Sequence, residues 1–182
     1  MALEHALLVS LREQPAAGLE LARRFDRSIG FFWSATHQQI YKVLRRMEVD
    51  GWVTGRSVEQ DGRREKNVYT VTAEGERALT EWIGVSTPRE AFRSEIAVKM
   101  RGASYGDREA LLDDIEGRLA DHRTRLAHYE SLRDRDHPDP ERLAGQQLDQ
   151  YLVLRGGLLL EQFWISWLEE YLTAHGRRKE HR

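Results

Sequence analysis

The sequence predicts a mainly α-helical chain in two parts, the first with the element order αααββα and the second with three helices, the last of them long. Three observations lead to this prediction. Apolar residues recur at helical spacing over most of the 182 residues. The period changes to strand-like alternation only between Trp52 and Thr72, and a linker-like stretch at 84–90 separates the two parts. We therefore expect one domain over residues 1–85 and a second over residues 86–182.

The first two helices are short. Residues 2–13 carry apolar side chains at helical spacing. Pro15 ends this helix, because proline has no amide hydrogen to donate and its ring obstructs the preceding turn. A second helix begins near Gly18 and ends before Gly30, with apolar residues on one side and arginines on the other. This pattern is typical of a helix with one buried face.

The third helix lies within FFWSATHQQIYKVLRRMEVDGWV, residues 31–53. Either Ser34 or Thr36 can cap its start, and Thr36 with Gln39 matches the capping-box pattern. With successive residues about 100° apart around the helix, one side collects the apolar residues Ile40, Val43, Leu44 and Met47. The opposite side collects Ala35, Gln38, Lys42 and Arg45.

A β-hairpin and a fourth helix complete the first part. Two β-rich runs, at 52–58 and 68–72, flank an Asp-Gly pair at 61–62, which is a strong hairpin signal. Thr72 is suited to cap the helix that follows. Glu74 and Glu76 fall in its first turn, where negative charge is favourable.

Three helices are predicted in the second part. The first spans residues 89–100 and ends at Gly102. Asp107 is expected to cap a long second helix, in which apolar residues step by three and four. Two prolines in DRDHPDPE interrupt it, and the last helix is expected to run from Glu141 to about His175.

The outer side of the third helix has two interpretations. Taken alone, Gln, Lys and Arg there are typical of an ordinary solvated surface. The order of a short helix, a glycine turn, this helix and a basic hairpin favours a winged helix-turn-helix, whose second helix enters the DNA major groove. Gln38 can then pair with adenine, and Lys42 and Arg45 can reach guanine or phosphate. Ala35 allows close approach or contacts a thymine methyl group.

Charge supports this interpretation only moderately. Residues 18–72 contain ten Lys and Arg against seven Asp and Glu, a net charge of +3, whereas residues 85–182 carry −2. The hairpin tip QDGRREKN supplies Arg63, Arg64 and Lys66, which suit contacts to the DNA backbone or minor groove. Because the excess is small, we expect binding to depend on well-placed contacts and on two copies of the site.

Other classes of protein are disfavoured. The chain has no cysteine, which excludes a disulfide scaffold and a thiolate zinc site. Its seven histidines form no i, i+4 pair, and neither a GxSxG elbow nor a glycine-rich phosphate loop is present. Charged residues interrupt the most apolar stretch, 151–172, too often for a membrane span. The start of the chain has no basic leader. We therefore expect a cytoplasmic protein that is not an enzyme and has no metal or cofactor.

Three segments in the first 85 or so residues carry a family resemblance, namely HALLVSLREQPAAGLELARRFD, FFWSATHQQIYKVLRRMEVDGWV and GRREKNVYTVTAEGERAL. With these segments the sequence resembles the PadR-like family of bacterial transcriptional regulators. The second part resembles, by architecture, the helical domain of the longer members, which is related to virulence-gene activators. The resemblance implies a homodimer on a two-fold symmetric operator, usually as a repressor and often released by a small molecule.

The resemblance also implies roles for individual residues. Arg63 and Arg64 match the basic wing of the family, and Tyr41 matches a helix tyrosine expected near phosphate. Asp61 and Glu65 partly neutralise this wing. Together with the helix-face analysis, this predicts DNA contacts from Ser34, Ala35, Thr36, His37, Gln38, Tyr41, Lys42, Arg45, Arg63, Arg64 and Lys66.

The last helix predicts a second chain. It is apolar nearly all round between Tyr151 and Leu172, and three helices alone can hardly cover it. The resemblance implies that it packs on the partner's N-terminal helix, Leu3 to Leu11. A dimer of this kind spaces the two recognition helices about one DNA turn apart, roughly 34 Å.

An aromatic cluster on the last helix has two interpretations. Phe163, Trp164, Trp167 and Tyr171, together with Trp33, suit a pocket for a flat aromatic effector. Periodic aromatic residues on a helix are more often core, here the core of the dimer. We therefore expect a ligand-responsive dimeric repressor that binds double-stranded DNA. The alternatives are a winged-helix protein-interaction module without DNA binding and a constitutive regulator without an effector.

Overall fold

The computed structural model describes residues 2–27, 35–60, 63–87 and 93–177. The chain divides into two compact units, Met1–Arg89 and Glu90–Arg182. Within the described residues it is mainly helical, with one small three-stranded sheet in the first unit. The predicted fold class is confirmed: the first unit has the winged-helix order, and the second is helical with a long terminal helix.

The elements of the first unit agree with the predicted order, with one addition. They are α1 (Ala2–Glu13), β1 (Ala16–Ala17), α2 (Gly18–Arg27), α3 (His37–Val49), β2 (Val53–Gln60), β3 (Arg63–Val71) and α4 (Ala73–Gly84). The sheet is antiparallel in the order β1-β3-β2. The strand β1 was not predicted, because two residues are too few to show a strand period. We call the β2–β3 hairpin the wing.

The core of the first unit lies between its helices and the base of the wing. Leu7, Leu8 and Leu11 of α1 are buried, as are Leu21, Ala22 and Phe25 of α2. From α3, Ile40, Leu44 and Met47 join them, and Val53 and Tyr69 contribute from the strands. Val43 is only partly buried. The apolar side of α3 is therefore fixed to the rest of the unit.

The turn after α3 is held by glycine and by a threonine cap. Gly51 has a φ of 74°, in the left-handed region that favours glycine. The Thr72 hydroxyl donates to the Gly51 carbonyl at 2.6 Å and accepts from the Gly75 amide at 3.2 Å, so Thr72 caps α4 as predicted. A Cβ at Gly75 would lie 2.2 Å from the Trp52 carbonyl oxygen. The start of α4 is thus closely packed on the residue that enters β2.

The second unit contains α5 (Glu95–Arg101), α6 (Arg108–Asp136) and α7 (Gly145–Ala174), with short 3-10 turns at Ala103–Tyr105 and Pro140–Arg142. Two predicted starts were wrong. Within the described residues α5 begins at Glu95, not Arg89, because the Ser94 side chain caps it by accepting from the Ala97 amide at 3.3 Å. The last helix begins at Gly145, not Glu141, because Leu143 and Ala144 are extended after the 3-10 turn.

The helices α6 and α7 pack antiparallel as the main contact of the second unit. Apolar residues near the start of α6 meet others near the end of α7, and both meet α5, in a core of Ile96, Met100, Leu112, Ile115, Leu119, Leu168 and Leu172. The predicted cap of α6 is present, since Asp107 accepts from the Ala110 amide at 3.1 Å. Just after α7, Arg177 pairs with Glu109, Asp113 and Glu116 of α6.

Candidate nucleic-acid interface

The start of α3 is set by a capping box. The Thr36 side chain accepts from the Gln39 amide at 3.2 Å, and the Gln39 side chain accepts from the Thr36 amide at 2.8 Å. Of the two predicted caps, the structure therefore has Thr36. Ser34 and Trp33 lie outside the described residues. The reciprocal bonds satisfy two amides at the helix start and fix where the first turn begins.

One side of α3 is exposed and polar, as the sequence predicted. Gln38, Tyr41, Lys42 and Arg45 lie on it, on the side of the helix away from the buried Ile40, Leu44 and Met47. We call these four residues the recognition face. His37, the first residue of the helix, is also exposed. The face offers an amide, a phenol, an ammonium group and a guanidinium group, which are the groups that bind base edges and phosphate.

Ala35 does not lie on the recognition face as helical geometry suggested. It precedes the cap, is partly buried, and packs against the core of the first unit. The prediction for Ala35 assumed that the helical period continues through Thr36. Thr36 has extended backbone angles, so the residues before it do not follow the period of the helix. A DNA contact by Ala35 stays a prediction.

The ring of Tyr41 is held against the start of α2. A Cβ at Gly18 would lie 2.5 Å from Cε1 of Tyr41 and 3.2 Å from Cδ1, so the ring occupies the space that a side chain at position 18 would need. Tyr41 nevertheless remains 38% exposed. A braced aromatic ring with an exposed part suits a contact to DNA phosphate, for which the tyrosine hydroxyl is one of the usual donors.

The two adjacent arginines of α3 have different surroundings. Arg46 pairs with Glu4 of α1 at 3.1 Å, and the Glu4 side chain is largely buried. Arg46 thereby ties α3 to α1, whereas Arg45 lies exposed on the recognition face. Sequence spacing alone could not separate their roles, because the partner of Arg46 is distant in the chain.

The wing carries basic residues on its outer face. Lys66 is paired in register with Val58, and Arg56 with Val68. Because directly opposed residues share a face of an antiparallel sheet, Arg56 and Lys66 lie on the same side of the hairpin, and both are exposed. Arg56 was not among the predicted contacts, since it lies away from the hairpin tip. The side chains of Arg63 and Arg64 lie outside the described residues.

On its other face the base of the wing is buried. Tyr69 is nearly inaccessible and packs in the core. Burial raises the pKa of its phenol, and the negative charge of Glu48 raises it further; Arg45 and a hydrogen bond with Asn67 act in the opposite direction. Tyr69 is therefore neutral at ordinary pH and connects the wing to the residues at the end of α3.

The aromatic cluster is present on α7. The ring centroids of Trp164 and Trp167 are 5.4 Å apart, and those of Phe163 and Trp167 are 5.9 Å apart. Tyr171 has other contacts: its ring lies 4.5 Å from His175, and its hydroxyl donates to the Met100 carbonyl at 3.2 Å. The structure thus brings together three of the five residues predicted for an effector pocket.

A buried carboxylate lies beside this cluster, between α6 and α7. Glu161 accepts from Arg125 at 3.1 Å and lies 2.5 Å from Nδ1 of His122, whose ring stacks on Trp164. Burial raises the pKa of the Tyr129 phenol, and the negative charge of Glu161 raises it further. In the sequence Glu161 appeared only as an interruption of an apolar run, because its partners are on another helix.

Over the described part of the chain, no group of three or more His, Cys, Asp or Glu side chains is arranged to hold a metal ion. No helix among the same residues is both long and apolar enough to cross a membrane.

Family models match both units. Residues 7–81 match the transcriptional regulator PadR-like family, and residues 92–175 match the virulence activator alpha C-term family. The probable transcriptional regulator Rv1176c of Mycobacterium tuberculosis is 46% identical over 184 residues, which cover 96% of this chain and 97% of that protein.

Solved structures of similar proteins cover nearly the whole chain. The Vibrio cholerae virulence activator AphA has a TM-score of 0.78 and 32% identity, covering 96% of this chain and 98% of its own. The negative transcriptional regulator PadR of Bacillus subtilis is 30% identical over 94% of this chain and 96% of its own length. Its structure with operator DNA has a TM-score of 0.81 at 28% identity, covering 96% and 99% of the two chains. Its structure with p-coumaric acid has a TM-score of 0.76 at 27% identity, covering 96% and 98%.

Proposed function

The chain belongs to the PadR-like family of transcriptional regulators, and we propose that it is a homodimeric repressor that binds an inverted-repeat operator and responds to a small aromatic ligand. The relatives are named as transcriptional regulators and not as enzymes. The alternative of a protein-interaction module without DNA binding is less well supported, because B. subtilis PadR has been solved in complex with operator DNA.

The recognition face of α3 is the observation that carries the DNA-binding proposal. Three buried residues fix the helix to the core while Gln38, Tyr41, Lys42 and Arg45 stay exposed on the other side. In our proposal Gln38 and Arg45 bind base edges, Lys42 binds a base or phosphate, and Tyr41 binds phosphate. Ser34, Ala35, Thr36 and His37 extend these contacts at the helix start, and Arg63, Arg64 and Lys66 bind the DNA backbone from the wing.

An exposed apolar face on α7 supports the homodimer. Leu154, Leu158, Leu168 and Leu172 are buried on one side of the helix. On the other side Leu152, Val153, Leu159, Leu160 and Phe163 are each 50–54% exposed. A patch of this kind on a charged protein marks an interaction surface, and a second copy of α7 offers a matching one.

Fewer residues of α1 are available for contact with a partner than the predicted range Leu3 to Leu11 contains. Leu7, Leu8 and Leu11 are already buried within the protomer. Only Leu3, Ala6 and Val9 remain partly accessible among the apolar residues of α1 whose side chains are described. A partner helix that packs on α1 must therefore use these three residues.

The aromatic cluster supports either dimer packing or ligand binding. Phe163 belongs to the exposed apolar face of α7, which favours dimer packing for this residue. The complex of B. subtilis PadR with p-coumaric acid supports a ligand of that chemical class for the family. We propose that the ligand is a planar aromatic compound, that residues of the aromatic cluster on α7 contribute to its site, and that it weakens operator binding.

The operator proposal is tested with DNA selected from a randomised duplex pool by the full-length protein. We expect protection of two half-sites about one helical turn apart, roughly 34 Å. The affinity should fall steeply with salt, since each phosphate contact releases counterions. Protection of a single undivided site, or binding without sequence preference, would contradict the proposed dimeric operator complex.

The effector proposal is tested by titrating planar aromatic compounds, including p-coumaric acid, into the protein and into its operator complex. A ligand near the α7 tryptophans should change their fluorescence. A ligand that binds the DNA-free protein more tightly than the operator complex must weaken operator binding by the same factor by which DNA weakens ligand binding. If no compound changes either signal, the protein is a constitutive regulator and the aromatic cluster is packing alone.

A further inference from the structure

A hydrogen bond joins the last turn of α3 to the wing. The Glu48 side chain accepts from the Gly55 amide at 3.1 Å. Gly55 lies on β2, which is an edge strand in the order β1-β3-β2. On an edge strand alternate amides have no neighbouring strand to bind. Glu48 supplies the acceptor for one of them, so the open edge of the sheet is fixed to α3.

The contact leaves no room for a side chain at position 55. A Cβ on Gly55 would lie 2.8 Å from the Glu48 carboxylate oxygen and 3.4 Å from Cε1 of Tyr69. It would also lie 3.5 Å from the side-chain nitrogen of Asn67. Any other residue would displace the carboxylate from the amide. The hydrogen bond between Glu48 and the amide of residue 55 therefore requires glycine at position 55.

In the proposed DNA complex the charge of Glu48 would be unfavourable. On a helix, residues 41, 45 and 48 share one side, so Glu48 continues the recognition face beyond Arg45. A carboxylate close to DNA phosphates lowers affinity, because affinity depends on net neutralisation of the phosphates. The hydrogen bond to the wing is a structural role that offsets this cost.

We propose that Glu48 is a positioning residue that sets the angle of the wing relative to α3, so that helix and wing bind the same DNA together. The inference rests on the proposed DNA-binding function. Other contacts keep the hairpin folded without Glu48, since β1 pairs with β3 through Ala16 and Ala17. Loss of the bond therefore changes where the wing points and leaves the domain folded.

The test is a double-mutant cycle in the full-length protein, measured with the selected duplex described above. Arg64→Ala removes a wing contact and is expected to weaken binding about 5-fold in the parent chain. In a Glu48→Ala background the same change is expected to weaken binding by less than about 2-fold, because the wing is no longer held at the DNA; the cycle isolates this coupling. An equal effect of Arg64→Ala in both backgrounds overturns the inference.

Three control variants separate the hydrogen bond from the charge. Glu48→Gln keeps an oxygen acceptor and loses the charge, so the full effect of Arg64→Ala should return. Gly55→Ala should behave like Glu48→Ala. Glu81→Ala removes a negative charge from an exposed position on α4 and should leave the effect of Arg64→Ala unchanged. If Glu48→Gln behaves like Glu48→Ala, charge and not position is responsible, and the inference fails.

Amide exchange at Gly55 provides a readout that does not depend on DNA. Glu48→Ala should speed exchange of this amide, and Glu48→Gln should not. Unchanged exchange in Glu48→Ala overturns the inference. Failure of the proposed function gives a different result from failure of this inference. If Arg64→Ala has no effect in the parent chain, the proposed wing contact with DNA is wrong, and the positioning role of Glu48 is then wrong as well.

Discussion

Leu160→Glu is expected to convert the protein from a dimer to a monomer. Leu160 is 54% exposed within the protomer, so glutamate there does not disturb the core of the second unit. In the proposed dimer the new carboxylate would be buried without a partner, which costs several kcal/mol per charge. The molar mass from sedimentation or light scattering should halve. Operator affinity should fall together with it, because two linked half-site contacts are replaced by one.

Gln162→Glu is the matched control for this variant. It places the same charge on the same exposed helix, two residues further along and away from the apolar face. It should remain dimeric and bind the operator as the parent does. A Leu160→Glu protein that keeps the mass of a dimer would show that the exposed face of α7 is not the dimer interface.

Gln38→Ala combined with Lys42→Ala is expected to remove most of the preference for the selected operator over an unrelated duplex. Each base contact of these residue types contributes about 1–3 kcal/mol of discrimination, so the two contacts in one half-site should together lower the preference by about 30-fold or more. Both positions are exposed and alanine favours helix, so the fold should be retained. Competition between labelled operator and unlabelled unrelated DNA measures the loss.

Lys99→Ala in α5 is the control for loss of a positive charge outside the recognition face. Lys99 is half-exposed and pairs with Glu95, and its replacement should leave discrimination unchanged. If the double variant in α3 discriminates as well as the parent chain does, the recognition face does not read the operator. Weaker binding with the same discrimination would assign Gln38 and Lys42 to backbone contacts alone.

Helix positions were predictable where the signal is local. The caps Thr36, Thr72 and Asp107 bind amides three residues away, so the residues that define each helix start are adjacent in sequence. The start of α7 was not predictable in this way. Its N-cap residue, Ala144, makes no side-chain cap bond, and the extended residues before it follow a 3-10 turn with no distinct pattern.

The recognition face was predictable because it depends on helical period alone. The roles of the charged residues around it were not, since each depends on a distant partner. Arg46 differs from Arg45 because Glu4 lies on another helix, and Glu48 is distinguished by an amide on the edge strand. Glu161 is separated by 39 residues from His122, a partner that lies on another helix. One-dimensional patterns reveal faces of helices, but not which charges are already paired inside the protein.

The buried carboxylate of Glu161, which contacts His122 and Arg125 of α6, affects how α7 is aligned along α6. Apolar contacts between two long helices tolerate sliding by a turn, because one leucine can replace another. A displaced α7 would leave the Glu161 carboxylate buried without Arg125 and His122 as partners, which is strongly unfavourable. We therefore expect this polar group to select a single alignment of the two helices. The set of leucines offered on the outer side of α7, and hence the geometry of any dimer formed there, is then decided by a charge pair inside each protomer.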